Sequence, residues 1–198
     1  MLRNIARFIA GSFVTILLAF TAGCSLKPHA AADLPDPPPL GLELRLASLD
    51  IRDIRQGIGP LEEPSLSRAG GFARSKTLDS ADRDALRAQV ERDMTGTGLP
   101  LHLDITVERA EVGWHGKWIL RATEQGRFHV RIAFRHGTTR LAECSGSATL
   151  ERPNIHATRD SLGRLFRYGL VASIHQCLEA TREELKKAPQ EPSGTAPI

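Results

Sequence analysis

The sequence predicts an α+β domain, with a single antiparallel sheet of about four to five strands and two helices packed on one face. Three observations support this class. Apolar residues alternate with polar ones in several short stretches, they recur every third or fourth position in two others, and glycines and prolines separate the stretches. The predicted order is strand, helix, strands, helix, which a single layer of helices on one sheet accommodates most simply.

The first strand is predicted around Leu42, Leu44 and Leu46, because these residues alternate with charged ones. A long stretch without a recognisable period follows, from residue 57 to residue 78. A loop of this length is unusual in a compact domain. It is therefore interpreted either as a binding loop or as a stretch containing a short strand that the pattern does not reveal.

The first helix is predicted to begin at an N-cap formed by Asp79 or Ser80 and to run to about Thr95. Gly96 and Gly98 are expected to end it. Its apolar stripe consists of Leu86, Val90 and Met94.

Alternating apolar residues predict further strands at residues 101–107, 128–134 and 142–150, and a hairpin is predicted where apolar residues flank His115-Gly116: Val112, Trp114, Trp118 and Leu120. Turns between them are expected at His115-Gly116, at Glu124-Gln125-Gly126 and at residues 136–139. The strand at 128–134 has the clearest alternation of apolar and polar residues in the chain.

The last helix is predicted from about Thr158 to about Lys186, with apolar residues on one face. Gly163 and Gly169 fall inside it, where glycine costs about 1 kcal/mol relative to alanine, so a close approach to a partner element is expected. The inward row of the last strand has only small side chains, which favours docking of this helix there: Cys144, Gly146 and Ala148.

The first 23 residues have the form of a secretory signal, with two arginines, an apolar run and small residues before a cysteine. Thr21-Ala22-Gly23-Cys24 resembles the lipobox of bacterial lipoproteins, in which Cys24 would receive the lipid after cleavage. The alternative is a membrane-anchor helix with an incidental cysteine. By the same resemblance, Ser25 in place of an aspartate favours the outer membrane, with the chain facing the periplasm, over the inner membrane.

The chain is accordingly divided into a signal peptide (1–23), a lipidated Cys24 with a Pro-rich tether (24–40), a globular domain (41–187) and a disordered tail (188–198). Loss of the signal peptide removes two arginines and lowers the formal net charge from +3 to +1. A nearly neutral chain is not typical of nucleic-acid-binding proteins, which depend on a basic surface.

Two cysteines remain after Cys24, and both fall on faces predicted to be buried. Cys144 lies on the inward row of the last strand, and Cys177 lies on the apolar stripe of the last helix. Because the periplasm is oxidising, a Cys144–Cys177 disulfide is predicted. The alternative is two separately buried thiols.

No motif in the sequence predicts a cofactor, a metal site or an enzymatic activity. Catalytic groups can come from distant residues, so a hydrolase with a dispersed site remains an alternative.

One candidate ligand site is a row on the wet face of the clearest strand, formed by Arg127, His129, Arg131 and Arg135. Arginine binds phosphates in bidentate fashion, and envelope lipids such as lipopolysaccharide carry phosphates. The alternative is a solvated face on which the arginines pair with acids of neighbouring strands: Asp104, Glu108 and Glu143.

A second candidate is a partner-binding pair, Trp114 and Trp118, near a predicted hairpin tip. Packing of both side chains in the core is the alternative.

The layout resembles small outer-membrane lipoproteins of Gram-negative bacteria, most nearly the YajG-type lipoprotein family. In that family a first strand leads into an Asp-x-Arg stretch and an Ile-Gly turn, matched here by Asp50-Ile51-Arg52 and Ile58-Gly59. The resemblance covers most of residues 42–186 and implies no catalytic residues. It implies a non-enzymatic binding or envelope-assembly module whose partners are the membrane and an envelope protein or lipid. The alternative is an accessory subunit that contacts lipid or lipopolysaccharide through the Arg-bearing face of the sheet.

Overall fold

The structure is a computed structural model that describes residues 34–61, 75–118, 121–154 and 157–187. The predicted signal peptide, Cys24, the tail at 188–198 and most of the long loop lie outside the described residues. The described part contains four strands and two helices, in the order β1 (Arg45–Asp53), α1 (Ser80–Asp93), β2 (Pro100–Trp118), β3 (Arg121–His136), β4 (Thr139–Pro153) and α2 (Arg159–Lys186).

The strands form one sheet in the order β1-β2-β3-β4, so the α+β class and the order of elements are confirmed. The β2–β3 and β3–β4 pairs are antiparallel, as predicted, but β1 and β2 are parallel. The expectation of a wholly antiparallel sheet is therefore wrong for this one pair. The reason is the connection, because α1 carries the chain back to the end of the sheet at which β1 starts.

Two predicted turns fall inside strands. The β2–β3 pairing continues to Trp118 and Arg121, so the chain reverses beyond His115-Gly116. Glu124-Gln125-Gly126 belongs to β3 and pairs with both neighbouring strands. A β-bulge at Glu108 shifts the alternation of β2, and the inward residues before and after it are out of phase.

Both helices begin at a side-chain cap. Asp79 caps α1, accepting a hydrogen bond from the backbone N–H of Asp82, and Thr158 caps α2, accepting one from the N–H of Ser161. In each case the third helical residue bonds back to the cap, which satisfies N–H groups that have no partner within the helix. The predicted start of the first helix is thereby confirmed.

Both helices pack on one face of the sheet and share one hydrophobic core with the inward rows of the strands. At Gly146 of β4, a Cβ atom would overlap the carbonyl oxygen of Ser173 in α2. At Gly169, a Cβ atom would overlap the ring of Phe128. The predicted close approach of the last helix to the last strand is therefore confirmed at Gly146. The close approach predicted from the helix glycines is confirmed at Gly169, where the partner is β3, whereas Gly163 has no neighbour within 4 Å.

A disulfide joins Cys144 of β4 to Cys177 of α2, as predicted, with the two Cα atoms 5.5 Å apart. The cysteines are 33 residues apart in sequence, and closing a loop of that length stabilises a fold by about 3–4 kcal/mol. The bond fixes α2 to the edge strand of the sheet. In the described part of the chain, no helix is long and apolar enough to cross a membrane.

Candidate functional site

The four residues predicted as an anion-binding row lie on the face of the sheet opposite the helices, which we call the outer face. Arg127, His129, Arg131 and Arg135 alternate with buried residues of β3, so their side chains point the same way. The three arginines are exposed, and His129 is half-buried. The structure thus brings all four together on one surface.

Acids of the neighbouring strand accompany these side chains. Arg131 Nη2 lies 2.6 Å from Glu108 Oε1, and Arg135 Nε lies 2.9 Å from Asp104 Oδ2. His129 Nε2 lies 3.2 Å from the second carboxylate oxygen of Glu108. These contacts correspond to the alternative in which charges pair across the strands, and they leave this row with little excess positive charge.

The bulge in β2 explains why Glu108 serves two partners. The register passes directly from Val107 to Arg109, so Glu108 is the extra residue and has no partner of its own on β3. Its carboxylate lies beside both His129 and Arg131.

Trp114 lies in the interior. Its side chain is buried, and the indole Nε1 donates a hydrogen bond to the carbonyl oxygen of Asn154 at 3.1 Å. This corresponds to the core-packing alternative, because a buried indole cannot anchor a partner. The side chain of Trp118 lies outside the described residues.

A groove of about 360 Å³ lies on the helix side of the domain, between α1 and α2, and we call it the helix groove. Its polar lining includes four arginines and the tyrosine of α2: Arg92, Arg152, Arg164, Arg167 and Tyr168. Arg92 belongs to α1, Arg164 and Arg167 belong to α2, and Arg152 lies at the end of β4. Arginines from three elements thus converge on one concave surface.

The remaining lining of the helix groove is mostly apolar. Ala85 and Ala88 come from α1, and Val171 comes from α2. Leu34 and Asp36 come from the segment before β1, so the end of the predicted tether forms part of the wall. A concave surface with apolar walls and a few converging polar groups is the usual form of a small-ligand site.

Arg152 is positioned by a buried carboxylate. Glu124 lies on the inward row of β3 and is fully buried, and its Oε2 lies 2.5 Å from Arg152 Nε. Asn154 Nδ2 donates a hydrogen bond to Glu124 Oε1 at 2.9 Å, and the hydroxyl of Ser161 also donates to Oε1. These contacts offset the cost of burying the charge, which would be several kcal/mol for an unpaired carboxylate.

Arg92 and Arg167 also face polar partners. Arg92 Nη1 lies 3.2 Å from Asp36 Oδ2, and its Nη2 donates to Gln89 Oε1. Arg167 Nε lies 3.4 Å from Asp82 Oδ1. The Nε atoms of both arginines are buried and form no hydrogen bond within the described residues, but Arg167 Nε faces a buried carboxylate oxygen that likewise lacks a hydrogen bond. The Nε of Arg92 therefore remains without an acceptor among the described residues.

Arg164 differs from the other three arginines of the helix groove. It is exposed, and its side chain forms no ion pair or hydrogen bond with the described part of the chain. Its guanidinium is available to a ligand without the loss of an internal contact.

Another buried acid, Asp93, accepts a hydrogen bond from Gln89, which lines the helix groove. Asp93 Oδ2 accepts a hydrogen bond from Gln89 Nε2 at 2.7 Å and lies 3.3 Å from His175 Nδ1. Its other oxygen accepts the backbone N–H of Leu40 at 3.0 Å. Both oxygens are engaged, so Asp93 joins the two helices to the segment before β1.

Two aspartates near the start of α1 have lowered pKa values. The hydrogen bond from Lys76 is the main reason that the pKa of Asp79 lies below its usual value. Burial raises the pKa of Asp53, but hydrogen bonds from Arg55 and its positive charge outweigh this, so the net pKa is lowered. Both carboxylates are thereby kept ionised near neutral pH.

Sequence reasoning missed the helix groove because its arginines come from distant parts of the chain. Only Arg164, Arg167 and Tyr168 carry a local signal, since spacings of three and four place them on one side of a helix. No sequence pattern indicated that Glu124 is buried, because two polar residues followed by a glycine are typical of a turn. In the described ranges, no group of three or more His, Cys, Asp or Glu residues could hold a metal ion.

No protein-family model matches the chain, and no curated protein matches it. Among solved structures, it is similar to protein XCC0632 from Xanthomonas campestris, of family DUF330, at 15% identity and a TM-score of 0.45, covering 80% of this chain and 94% of that chain. It is also similar to a neuraminyllactose-binding hemagglutinin homologue from Helicobacter pylori, at 7% identity and a TM-score of 0.37, covering 77% and 90%. Both TM-scores lie below 0.5, and neither likeness concerns the YajG-type family, so that resemblance stays a prediction.

Proposed function

We propose that this chain is a lipid-anchored, non-enzymatic binding module of the bacterial envelope, held at the periplasmic face of the outer membrane. The observation that carries the binding role is the helix groove, where four arginines and an apolar wall converge on one concave surface. The outer face is the less favourable binding surface, because Glu108 and Asp104 already engage Arg131 and Arg135. In the helix groove, Arg164 forms no ion pair with the described residues.

The disulfide supports the proposed location. Cys144 and Cys177 are joined inside the core, and such bonds persist in oxidising compartments, of which the bacterial periplasm is one. The lipobox-like Thr21-Ala22-Gly23-Cys24 adds the anchor, since two or more acyl chains hold a protein stably on a membrane.

The test is intact-mass analysis of the protein extracted from membranes, with and without reduction and alkylation. We expect a mature chain that begins at Cys24 and carries acyl mass, in which Cys144 and Cys177 become alkylated only after reduction. In a density gradient, the protein is expected to sediment with the outer membrane.

Two variants serve as controls. Cys24→Ala removes the acyl acceptor and is expected to leave an unprocessed chain without acyl mass. Ser25→Asp retains the acceptor and is expected to move the lipidated protein towards the inner membrane in organisms with enteric-type sorting. A wild-type chain that lacks acyl mass, or whose two core thiols alkylate without reduction, would contradict the proposal.

A further inference from the structure

We propose that the helix groove binds a phosphate group carried on a hydrocarbon chain, as in a lipid headgroup or another alkyl phosphate. This inference rests on the proposed function for its location and deepens it by naming the class of ligand. The groove is lined by four arginines and one acid, and three of the arginines face a carboxylate, so the positive charge left for an anion is that of Arg164.

Arg164 provides the first cationic contact. Because its side chain is exposed and forms no ion pair within the described part of the chain, a phosphate oxygen can replace water there without breaking an internal bond. Arginine presents a planar fork of N–H donors that matches two oxygens of a phosphate.

The side chains of Arg152 and Arg167 are preorganised for binding. Arg152 forms an ion pair with Glu124, and Arg167 lies beside Asp82, so both guanidinium groups are oriented before a ligand binds. Ordering these long side chains at the moment of binding would otherwise cost free energy.

An unsatisfied donor is a further indication of an anionic ligand. The Nε atom of Arg92 is buried and has no acceptor within the described residues, whereas that of Arg167 faces Asp82 Oδ1 at 3.4 Å. Buried donors of a folded protein are nearly always satisfied, by protein, water or ligand. A phosphate in the helix groove brings acceptor oxygens to this region.

The apolar wall indicates what the phosphate is attached to. Ala85, Ala88 and Val171 offer no hydrogen bond, and they gain from contact with a hydrocarbon segment. A volume of about 360 Å³ lies near the lower end of the range for small-molecule sites, so it suits a headgroup with a short part of a chain.

The number of residues between Cys24 and the helix groove limits how far the groove can lie from the proposed anchor. Leu34 lines the groove and lies ten residues after Cys24 in the sequence. Even fully extended, ten residues span at most about 36 Å, so a lipidated Cys24 keeps the groove within that distance of the membrane surface. Phosphate-bearing lipids would lie within reach.

The test uses the mature lipoprotein in neutral detergent micelles, with line broadening of the ³¹P NMR signal as the measure of binding. The probes are monobutyl phosphate and inorganic phosphate, and protein-free micelles serve as the reference. We expect saturable binding of monobutyl phosphate, weakened at least about tenfold by Arg164→Gln, as removal of a charge-assisted contact implies. Ala88→Trp, which fills the groove from an exposed position, is expected to weaken binding as well.

Arg131→Gln is the matched control, because it removes one arginine from the outer face and leaves the helix groove intact. It is expected to bind like the wild type. Thermal unfolding of each variant shows whether the fold is retained. Tighter binding of monobutyl phosphate than of inorganic phosphate supports the inference. Equal affinities for the two probes would leave a phosphate site but overturn the part of the inference that names a hydrocarbon chain.

Two results would overturn the inference: absence of saturable binding of either probe, or an equal loss of binding in Arg131→Gln and Arg164→Gln. Neither result bears on the proposed lipid anchor, which is tested separately by the acyl mass of the chain. Conversely, an unlipidated chain that still binds phosphate in the helix groove would contradict the anchor alone.

Discussion

The outer face and the helix groove both carry several arginines, but they differ in how the charge is balanced. On the outer face, Arg131 and Arg135 lie within hydrogen-bond distance of carboxylates on β2. In the helix groove, three of the four arginines also face a carboxylate, but Arg164 has no such partner in the described part of the chain. A row of arginines in a sequence therefore does not define an anion site, because the acids around it decide whether charge remains for a ligand.

An exposed and a buried ion pair also lie next to each other in the sequence, at the end of β1. The Asp-Ile-Arg triplet occurs twice in succession, at residues 50–52 and 53–55. The Asp50–Arg52 pair is largely exposed, with side chains 53% and 67% accessible, whereas the side chains of Asp53 and Arg55 are 13% and 2% accessible. Identical tripeptides thus form a solvated pair and a buried one.

The largest effect is expected where a buried ion pair loses its acid. Glu124→Gln leaves Arg152, which is only 11% accessible, without a counter-charge. We expect it to lower the free energy of unfolding by about 3–5 kcal/mol, as for other broken buried pairs. Urea unfolding of the oxidised mature chain measures this loss.

The matched control is Glu108→Gln on the outer face, which is expected to cost about 0–1 kcal/mol because its partners are solvated. Equal losses for Glu124→Gln and Glu108→Gln would show that the two regions do not differ in the way that their burial implies.

A smaller, pH-dependent loss of stability is expected when the acid of the buried Asp53–Arg55 pair is removed. Because the pKa of Asp53 is lowered in the folded state, its ionised form stabilises the fold. This contribution is fully present above the ordinary carboxyl pKa of about 3.9 and is lost as the pH falls through the lower folded-state value. Asp53→Asn should therefore lower the unfolding temperature at pH 7 and have less effect at lower pH.

Asp50→Asn is the matched control, since it removes the acid of the exposed triplet from the same strand. We expect only a slight change in unfolding temperature at pH 7. Thermal unfolding followed by circular dichroism across pH 2–7 compares the variants. A pH-independent loss in Asp53→Asn would mean that the change in shape, and not the charge, is responsible.

Local patterns were sufficient for much of the fold. The inward positions of Cys144 and Cys177 followed from the period of a strand and of a helix, and this sufficed to predict their bond. The small row around Gly146 likewise predicted where the last helix docks. Both predictions depended on short-range periodicity combined with residue size.

The features that were missed depend on pairing between distant residues. The parallel β1–β2 pair follows from the route of α1 and not from either strand's sequence. Glu124 could be placed inside the core only once Arg152, Asn154 and Ser161 were known to surround it. The helix groove combines arginines whose positions differ by up to 75 residues, from Arg92 to Arg167, so no local pattern connects them.

The smallest effect is expected at the Asp104–Arg135 pair of the outer face, where the side chains are 26% and 48% accessible. A double-mutant cycle with Asp104→Asn and Arg135→Gln should give a coupling of about 0.2–1 kcal/mol, as for other exposed pairs. Raising the salt concentration to 1 M should reduce this coupling, because the screening length then falls to about 3 Å. A coupling well above this range and insensitive to salt would mean that water is excluded from the outer face. In that case a partner surface or a second copy of the chain would cover it, and the outer face, not only the helix groove, would have to be considered a binding site.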